Sequence, residues 1–593
     1  MARDAALARS ALFEGLSDDE LDVVAERMRA RLFAPDEVIC NAGEQPDRIW
    51  LLTGGLVSWT AAATAGGDEL VLRMRKGDVI GAQDALTGKE RSATVVASMR
   101  TSTLELDAED LVELARRFPQ ILINLIQTQR ERLFRASARS AAIFSGSVRS
   151  TANRRGEELG IVAGTSLGGV VGRLVAAAQT ATARPVTFLD RSLSFAGALT
   201  ASDELATENA TVLIPGDLDP EKLAVMLDEV DRVVAVAGNA GEAEMLGRVA
   251  AAAEGRNLEI VLVSDEARSA SRAWSPELVK RIIRDCPRQP DFPLADADLA
   301  WLARHITRTK LGVALGAGGA KGYAHVGVLQ VLEEDGYTVD YAGGSSIGGF
   351  VATQLALGHD SRQIYERFRR AFNEDRLGKL FGGAFGGGTA GAEELMQLLK
   401  EATDERYFSQ TVIPLVIMAV DLTDRLPKAQ RTGQLAHALH AALAVAGVFP
   451  PHEENGHRLV DAIALVPVPT AAVLQDGADV VVSVNLLGAE TLEQWPDASA
   501  EEAAEQPPPK RKNMLDTLLE VMDLSQVDTA ARYAELADVA LTPRFGPADW
   551  RDFGMADRFL AAGRAAALGQ LAELRALCRP VDLETARREA ALV

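Results

Sequence analysis

"TKLGVALGAGGAKGYAHVGVLQVLEE", Thr309–Glu334, places four glycines (Gly316, Gly318, Gly319 and Gly322) between two apolar segments of different period. "TKLGVAL" is a short continuous apolar run, as in a buried strand, and "YAHVGVLQVLEE" carries an apolar stripe at helical spacing. Glycine loses more chain entropy on folding than any other residue, so a junction this rich in it implies a use for bare backbone amides. Two phosphate-loop readings fail on the letters. A dinucleotide fingerprint counted from Gly316 needs glycine where Lys321 stands, and a P-loop needs Gly-Lys-Ser/Thr where "AKG" stands. What is left is a nest of amide donors from Gly318, Gly319 and their neighbours, backed by a helix N-terminus and suited to developing negative charge.

Downstream, "GSSIG" at Gly344–Gly348 follows the strand-like "TVDYAG" and precedes the helix-like "GGFVATQLAL". That is the strand–turn–helix setting of a nucleophile elbow, in which the central serine is exposed next to a helix N-terminus. Ser346 is the candidate nucleophile, and Ser345 occupies the variable position. The seven histidines offer no evident base: His325 lies in the helix after the glycine turn, where a structural role is expected, and His437, His440, His452 and His457 fall in polar helix or loop surroundings. "VFPPHEENGHRLVDAIALVPVP" predicts a hairpin with Asn455-Gly456 at its tip and a strand ending at Asp461. An aspartate at the C-terminal end of a strand in an open α/β sheet lies where sites assemble, although a lone one is more often a turn or cap residue.

The segment from Leu159 to about Asp265 alternates apolar runs ("GIVAG", "RPVTFLD", "ATVLIP", "RVVAVAG", "EIVLVSD") with helix-length polar stretches, which predicts a parallel α/β sheet. Its "GTSLGGVVGRL" fits the glycines of a P-loop at Gly164 and Gly169, but Val170 and Val171 replace the lysine and the hydroxyl residue. It also spells Gly-x-Ser-x-Gly around Ser166, with no glycine-rich turn before it to supply an oxyanion site. This segment is therefore read as a structural α/β domain with a degenerate loop.

From Leu12 to about Gln129 short strands are punctuated by Gly and Asp, the pattern of a compact β-roll closed by helices. "LFEGLSDDEL" (Leu12–Leu21), "GDVIG" (Gly77–Gly81) and "RSAT" (Arg91–Thr94) resemble the cyclic-nucleotide-binding domain family. The resemblance implies Gly81, Arg91 and Ser92 as nucleotide-binding candidates and a cyclic nucleotide as effector. Against this, Ala82 stands where the family's ribose-holding Glu is found, so a roll working without nucleotide is the favoured reading and leaves Arg91 as a surface or loop-tethering cation. The following helix, with Phe118, Ile121, Leu122 and Leu125 at helical spacing, is expected to bury its apolar face on the roll, with pairing into a homo-oligomer as the alternative.

Bulk properties exclude whole classes of function. The chain has 593 residues and a formal net charge of −22, an unfavourable balance for nucleic-acid binding, which draws its affinity from Lys and Arg on phosphates. Three scattered cysteines, Cys40, Cys286 and Cys578, give no disulfide framework and no metal-ligand spacing. With no signal peptide at the N-terminus and no apolar run of membrane-spanning length, a cytoplasmic location is expected, peripheral membrane contact remaining open.

"GAGGAKG", "GSSIG" and "VDA", in this order, resemble the patatin-like phospholipases, which hydrolyse acyl esters with a Ser–Asp dyad. The likeness extends through "MAVDLTD", "VAGVFPP" and "LTPRFGPADWRDFGMADRFLAAGRAA"; with the N-terminal roll, the chain is similar to bacterial members of the neuropathy target esterase group. The resemblance implies Ser346 as nucleophile, Asp461 as base, Gly344 and Gly348 as the glycines of the elbow, and the amides of Gly318, Gly319 and Ala320 as the oxyanion hole. It implies a phospholipid or lysophospholipid substrate and no metal or organic cofactor. Two departures stand out: Ala462 and Ile463 follow the aspartate where the family has glycine first, and Ala317 replaces a usual glycine. A serine esterase is the leading expectation, beside a catalytically silent binding or regulatory protein and an acyltransferase using the same acyl-enzyme. The domains are expected at 1–150 (cyclic-nucleotide-binding-like roll), 151–300 (parallel α/β) and 301–593 (patatin-like α/β), the last with a mobile acidic, proline-rich loop near 496–513 and C-terminal helices. Just after that loop, "NMLDTLLEVMDL" is expected to pack in the core rather than touch lipid.

Overall fold

The structure, a computed structural model, describes residues 7, 10, 12–13, 15–34, 37–54, 56–61, 70–75, 79–91, 93–97, 101–118, 120–121, 124, 157–167, 169–189, 211–252, 257–289, 292–382, 389–488, 526–546 and 551–590. Ser92, Leu122, Leu125, the loop near 496–513 and the amphipathic "NMLDTLLEVMDL" lie outside the described residues.

In the N-terminal region short strands pair antiparallel, mostly with partners that are not their neighbours in the chain. One four-stranded sheet is built from β1 (Arg29–Phe33), β3 (Arg48–Gly54), β6 (Val79–Ile80) and β8 (Thr101–Asp107). The other comprises β2 (Val38–Cys40), β4 (Leu56–Ala61), β5 (Leu70–Arg75) and β7 (Thr94–Ala97). "SDDE" opens the preceding helix Asp18–Arg27 with a capping box, Ser17 and Glu20 satisfying each other's end of the helix. Phe118 and Ile121 bury their side chains in the core of the roll.

The middle region is a six-stranded, wholly parallel sheet of order β10-β11-β9-β12-β13-β14. Its strands are β9 (Glu157–Ala163), β10 (Val186–Phe188), β11 (Thr211–Asp217), β12 (Arg232–Ala237), β13 (Leu258–Val263) and β14 (Ile282–Cys286). Both faces of such a sheet are covered, so its central strands are nearly continuous apolar runs; β12 is buried at every residue. Helices α1 (Val170–Ala181), α2 (Ala240–Ala252) and α3 (Asp296–Ile306) flank it. The edge strand β14, "IIRDC", is a strand that the apolar runs did not predict.

The C-terminal sheet holds eight strands. In chain order they are β15 (Leu311–Leu315), β16 (Val339–Ser345), β17 (Leu415–Asp421), β18 (Leu426–Gln430), β19 (His452–Glu454), β20 (His457–Asp461), β21 (Val480–Val484) and β22 (Val539–Leu541). β15, β16, β17, β21 and β22 run parallel, and the hairpin strands β18 and β20 run antiparallel to β17. Helices α4 (Tyr323–Glu334), α5 (Ile347–Ala356), α6 (Leu435–Ala442) and α7 (Ala556–Leu577) pack around it. Tyr323 of α4 stacks on Phe368 at 4.2 Å between centroids, and Phe350 of α5 meets Phe372 edge-on at 5.3 Å, an aromatic floor under the two site-forming turns.

The helix after α7, α8 (Leu583–Ala590), crosses back to the middle region and lies against α1, where Ala586 joins the core of the middle sheet. α3 contributes Leu299, Leu302, Ala303 and Ile306 to that same core, while its Arg304 pairs bidentately with buried Asp340 of β16, both bonds 2.8 Å.

Candidate active site

The register of β17 explains how two residues distant in sequence meet. Met418 pairs with Ser345 of β16 and with Ala429 of β18; Ala419 pairs with Asp461 of β20 and with Lys428 of β18. Because β18 takes one edge throughout, β16 and β20 share the other. They approach from opposite directions and end at neighbouring positions. The residue after β16 is Ser346, and the last of β20 is Asp461. Ser346 Oγ donates a hydrogen bond of 2.5 Å to Asp461 Oδ2, with the two residues only 6 % and 2 % exposed.

Ser346 has φ 53° and ψ −127°, a region that side-chain-bearing residues avoid and that costs on the order of 1–3 kcal/mol. The sharp turn aims its hydroxyl out of the sheet at the start of α5. Gly344 and Gly348 make the turn sterically feasible: a Cβ on Gly344 would lie 2.3 Å from the Gly348 carbonyl carbon, and one on Gly348 would lie 2.1 Å from the Leu315 carbonyl oxygen. α5 therefore presses directly on the end of β15, where the glycine-rich turn begins. The other carboxylate oxygen of Asp461 accepts the Ile463 N–H at 2.9 Å, and the Asp461 N–H donates to the Ala444 carbonyl at 3.0 Å. Ala462 is buried in the core, so its methyl group is accommodated with the carboxylate still on Ser346.

In the glycine-rich turn, the Gly316 and Ala317 amides are committed to the carbonyls of Val484 and Pro467, at 3.0 and 2.9 Å. The amides of Gly318, Gly319 and Ala320 donate no hydrogen bond among the described residues. This turn packs on the elbow, a Cβ on Gly348 lying 2.7 Å from the Gly316 carbonyl oxygen, and three unspent donors in it suit an anionic oxygen. His325 lies wholly buried on α4 with Nε2 2.8 Å from the Gly316 carbonyl. A carbonyl only accepts, so Nε2 carries the proton, and burial pulls the imidazole pKa down to about 4. This histidine braces the turn and does not reach the serine. Ser346 Oγ has no imidazole partner among the described residues.

The remaining candidates lie elsewhere. His440 and His452 stand 4.9 Å apart between ring centroids, beside His437, and burial pulls both down to about 4. Asp421, Asp424 and His457 are, among the described residues, the one group of three whose ligand atoms fall within 4.8 Å. Asp421 is already engaged there by the Thr423 and Asp424 amides and by His457 Nδ1 at 2.6 Å. Burial pushes the thiols of Cys40, Cys286 and Cys578 up to about 11, 12 and 12, which leaves them un-ionised at neutral pH.

In the roll, Arg91 is buried and turned inward: its guanidinium donates to the Gly81 and Arg48 carbonyls and lies 5.1 Å over the Trp50 ring. Arg91 thus ties Gly81 to Arg48 and is a buried tether, not the surface cation that was the other expectation. In the middle region Thr165–Leu167 forms a single helical turn. The Glu242 carboxylate lies against Gly164 and accepts the Gly238 N–H at 2.7 Å, placing an acidic side chain at the degenerate loop. Reasoning from sequence expected the structural role of His325 but not its partner, and it missed the Pro467 carbonyl; backbone acceptors leave no signature in the letters.

Family models match two parts of the chain: "Patatin-like phospholipase" over residues 313–474 and "Cyclic nucleotide-binding domain" over residues 30–118. The chain carries both domains. It is similar to an uncharacterised NTE family protein of Mycobacterium tuberculosis, 31% identical over 195 residues that cover 33% of this chain and 54% of that one. It is similar to the lysophospholipase NTE1 of Kluyveromyces lactis, 29% identical over 32% of this chain and 13% of that one. Patatin-like phospholipase domain-containing protein 7 of Rattus norvegicus aligns over 84% of this chain and 41% of its own length at 23% identity. The chain thus spans about half the length of the first of these relatives and less of the other two.

Proposed function

We propose that the C-terminal region is a serine esterase that hydrolyses the fatty acyl esters of phospholipids or lysophospholipids through a Ser346–Asp461 dyad. Asp461 Oδ2 accepts the proton of Ser346 Oγ as that oxygen attacks the ester carbonyl. The oxyanion of the tetrahedral intermediate is stabilised by the Gly318, Gly319 and Ala320 amides. Collapse breaks the ester C–O bond, the departing alcohol takes the proton from Asp461, and the acyl group stays on Ser346. Water, deprotonated by Asp461, then attacks the acyl-enzyme, and the fatty acid leaves as Ser346 recovers its proton.

The single observation that carries this reading is the 2.5 Å hydrogen bond from a strained elbow serine to a buried carboxylate beside three unspent amides. The phospholipase and lysophospholipase names of the matching family and relatives support the substrate class. No described helix is long and apolar enough to cross a membrane, so we assign contact with the lipid surface to a peripheral encounter. We further read the N-terminal region as a regulatory module in which Arg91 serves the fold; micromolar binding of cyclic AMP or cyclic GMP in calorimetry overturns that part.

Fluorophosphonate labelling followed by p-nitrophenyl ester hydrolysis tests the dyad. Wild type and Ser166→Ala are expected to label and turn over; Ser346→Ala is expected to do neither. Asp461→Asn is expected to lower kcat by roughly 10³-fold or more, as for groups that act as one unit. A folded wild type that neither labels nor hydrolyses supports the silent protein, and acyl transfer to an added alcohol that outruns hydrolysis supports the acyltransferase.

A further inference from the structure

Building on the dyad reading, we propose that Ser345 is a positioning residue whose hydroxyl clasps the loop carrying Asp461 to the turn carrying Ser346. Ser345 ends β16, is wholly buried, and its Oγ donates to the Val466 carbonyl at 2.6 Å. The very next carbonyl, that of Pro467, accepts the Ala317 N–H at 2.9 Å at the mouth of the glycine-rich turn. One short loop, 461–467, thus does three things. At its start it offers a carboxylate to Ser346; at its end it offers two successive carbonyls, one to the strand end behind the nucleophile and one to the amide nest.

The loop is internally braced, so a displacement at one end reaches the other. Ile463 N–H holds Asp461 Oδ1 at 2.9 Å, and the Leu465 and Val466 amides close on the Ala462 carbonyl at 3.0 and 2.8 Å. The pairing of β16 and β20 with β17 sets the approach of Ser346 and Asp461 to within a residue, but productive geometry needs roughly 0.5 Å. Of the two ties that supply this finer alignment, the one to Ala317 is backbone to backbone. The other comes from a side chain, and Ser345 is that side chain. A hydroxyl that merely satisfied its own burial would affect stability alone; a positioning hydroxyl affects the reaction of Ser346.

The test uses the full chain as wild type, Ser345→Ala and Ser345→Thr, with kcat, KM, fluorophosphonate labelling rate, thermal midpoint and amide hydrogen exchange across 461–467. Ser345→Ala is expected to lower kcat and the labelling rate by about 10- to 10²-fold, as a misplacement of up to about 1 Å does, with KM little changed. Ser345→Thr, which keeps the donor, is expected to recover most of the loss. Exchange over 461–467 is expected to quicken in the alanine variant and not in the threonine one. Wild-type kcat in Ser345→Ala, a threonine variant no better than alanine at equal thermal midpoint, or unchanged loop exchange overturns the proposal. If wild type itself neither labels nor turns over, the dyad reading falls, while the exchange comparison still decides whether Ser345 clasps the loop.

Discussion

At position 346 stability and chemistry pull in opposite directions. The left-handed backbone of Ser346 persists because α5, β16 and the hydrogen bond to Asp461 hold it there. Glycine adopts such angles freely, whereas alanine keeps the strain and loses the hydroxyl. Ser346→Gly is therefore expected to be more stable than Ser346→Ala by about 1 kcal/mol in urea unfolding, with both variants devoid of ester turnover. Because glycine loses more chain entropy on folding, an alanine variant more stable than the glycine one would show that the turn stores no strain. The candidate nucleophile was legible in the sequence because much of its constraint is local: a Cβ on Gly344 would meet the Gly348 backbone four residues on, although one on Gly348 would meet the distant Leu315 carbonyl. Asp461 was legible as the end of a strand after an Asn-Gly turn, and β19 and β20 do form that hairpin. What the letters withheld was the shared edge of β17, a register between segments far apart in the chain, and with it the reason that residues 346 and 461 touch.

Among the elements, α4 links the glycine-rich turn to the core, and its single imidazole makes that link sensitive to acid. His325 is neutral in the fold, held by burial at a pKa of about 4 against 6.5 for a free imidazole. The unfolded chain therefore binds a proton that the folded chain refuses, and stability rises with pH across that window. It is fully present above about pH 6.5 and is lost as the pH falls toward 4. The complete shift corresponds to roughly 3 kcal/mol, so His325→Gln is expected to flatten the fall in urea midpoint between pH 7 and pH 5 relative to wild type. Identical slopes would place the acid sensitivity in other groups, of which His305, His440 and His452, likewise pulled down to about 4 by burial, are the nearest in kind. The sequence marked α4 clearly by its apolar stripe, but β14 escaped notice. Its "IIRDC" breaks the apolar run with Arg284 and Asp285, side chains that an edge strand tolerates, one of its sides having no neighbouring strand among the described residues.

For the whole molecule, the question is what holds the middle sheet to the C-terminal one. The chain leaves the middle core through α3 and returns to it at the far end through α8, so one core is closed by segments from both sides of the C-terminal sheet. The return is anchored by the Arg579 N–H on the Ala181 carbonyl at 2.9 Å and by the Asp582 N–H on Thr180 Oγ1 at 3.0 Å. Ala586 is buried there, with Val581 and Leu583 packed beside it. "LETARREA" gives little warning of this role, because its buried contact is a single alanine among charged neighbours. The site itself stands on β15, β16, β17 and β20, none of which α8 touches through that core. Ending the chain after Cys578 is therefore expected to weaken the middle sheet by about 2–4 kcal/mol, the loss of a few buried aliphatic groups and the cavity they leave. Amide exchange in β9 and β12 should quicken in the truncated chain, while the wild-type rate of ester turnover is retained. Unchanged exchange in those strands would mean that the middle sheet stands without the strap, and lost turnover would mean that α8 reaches the site through α7, whose Leu560 and Arg564 backbone closes on Gly327 of α4.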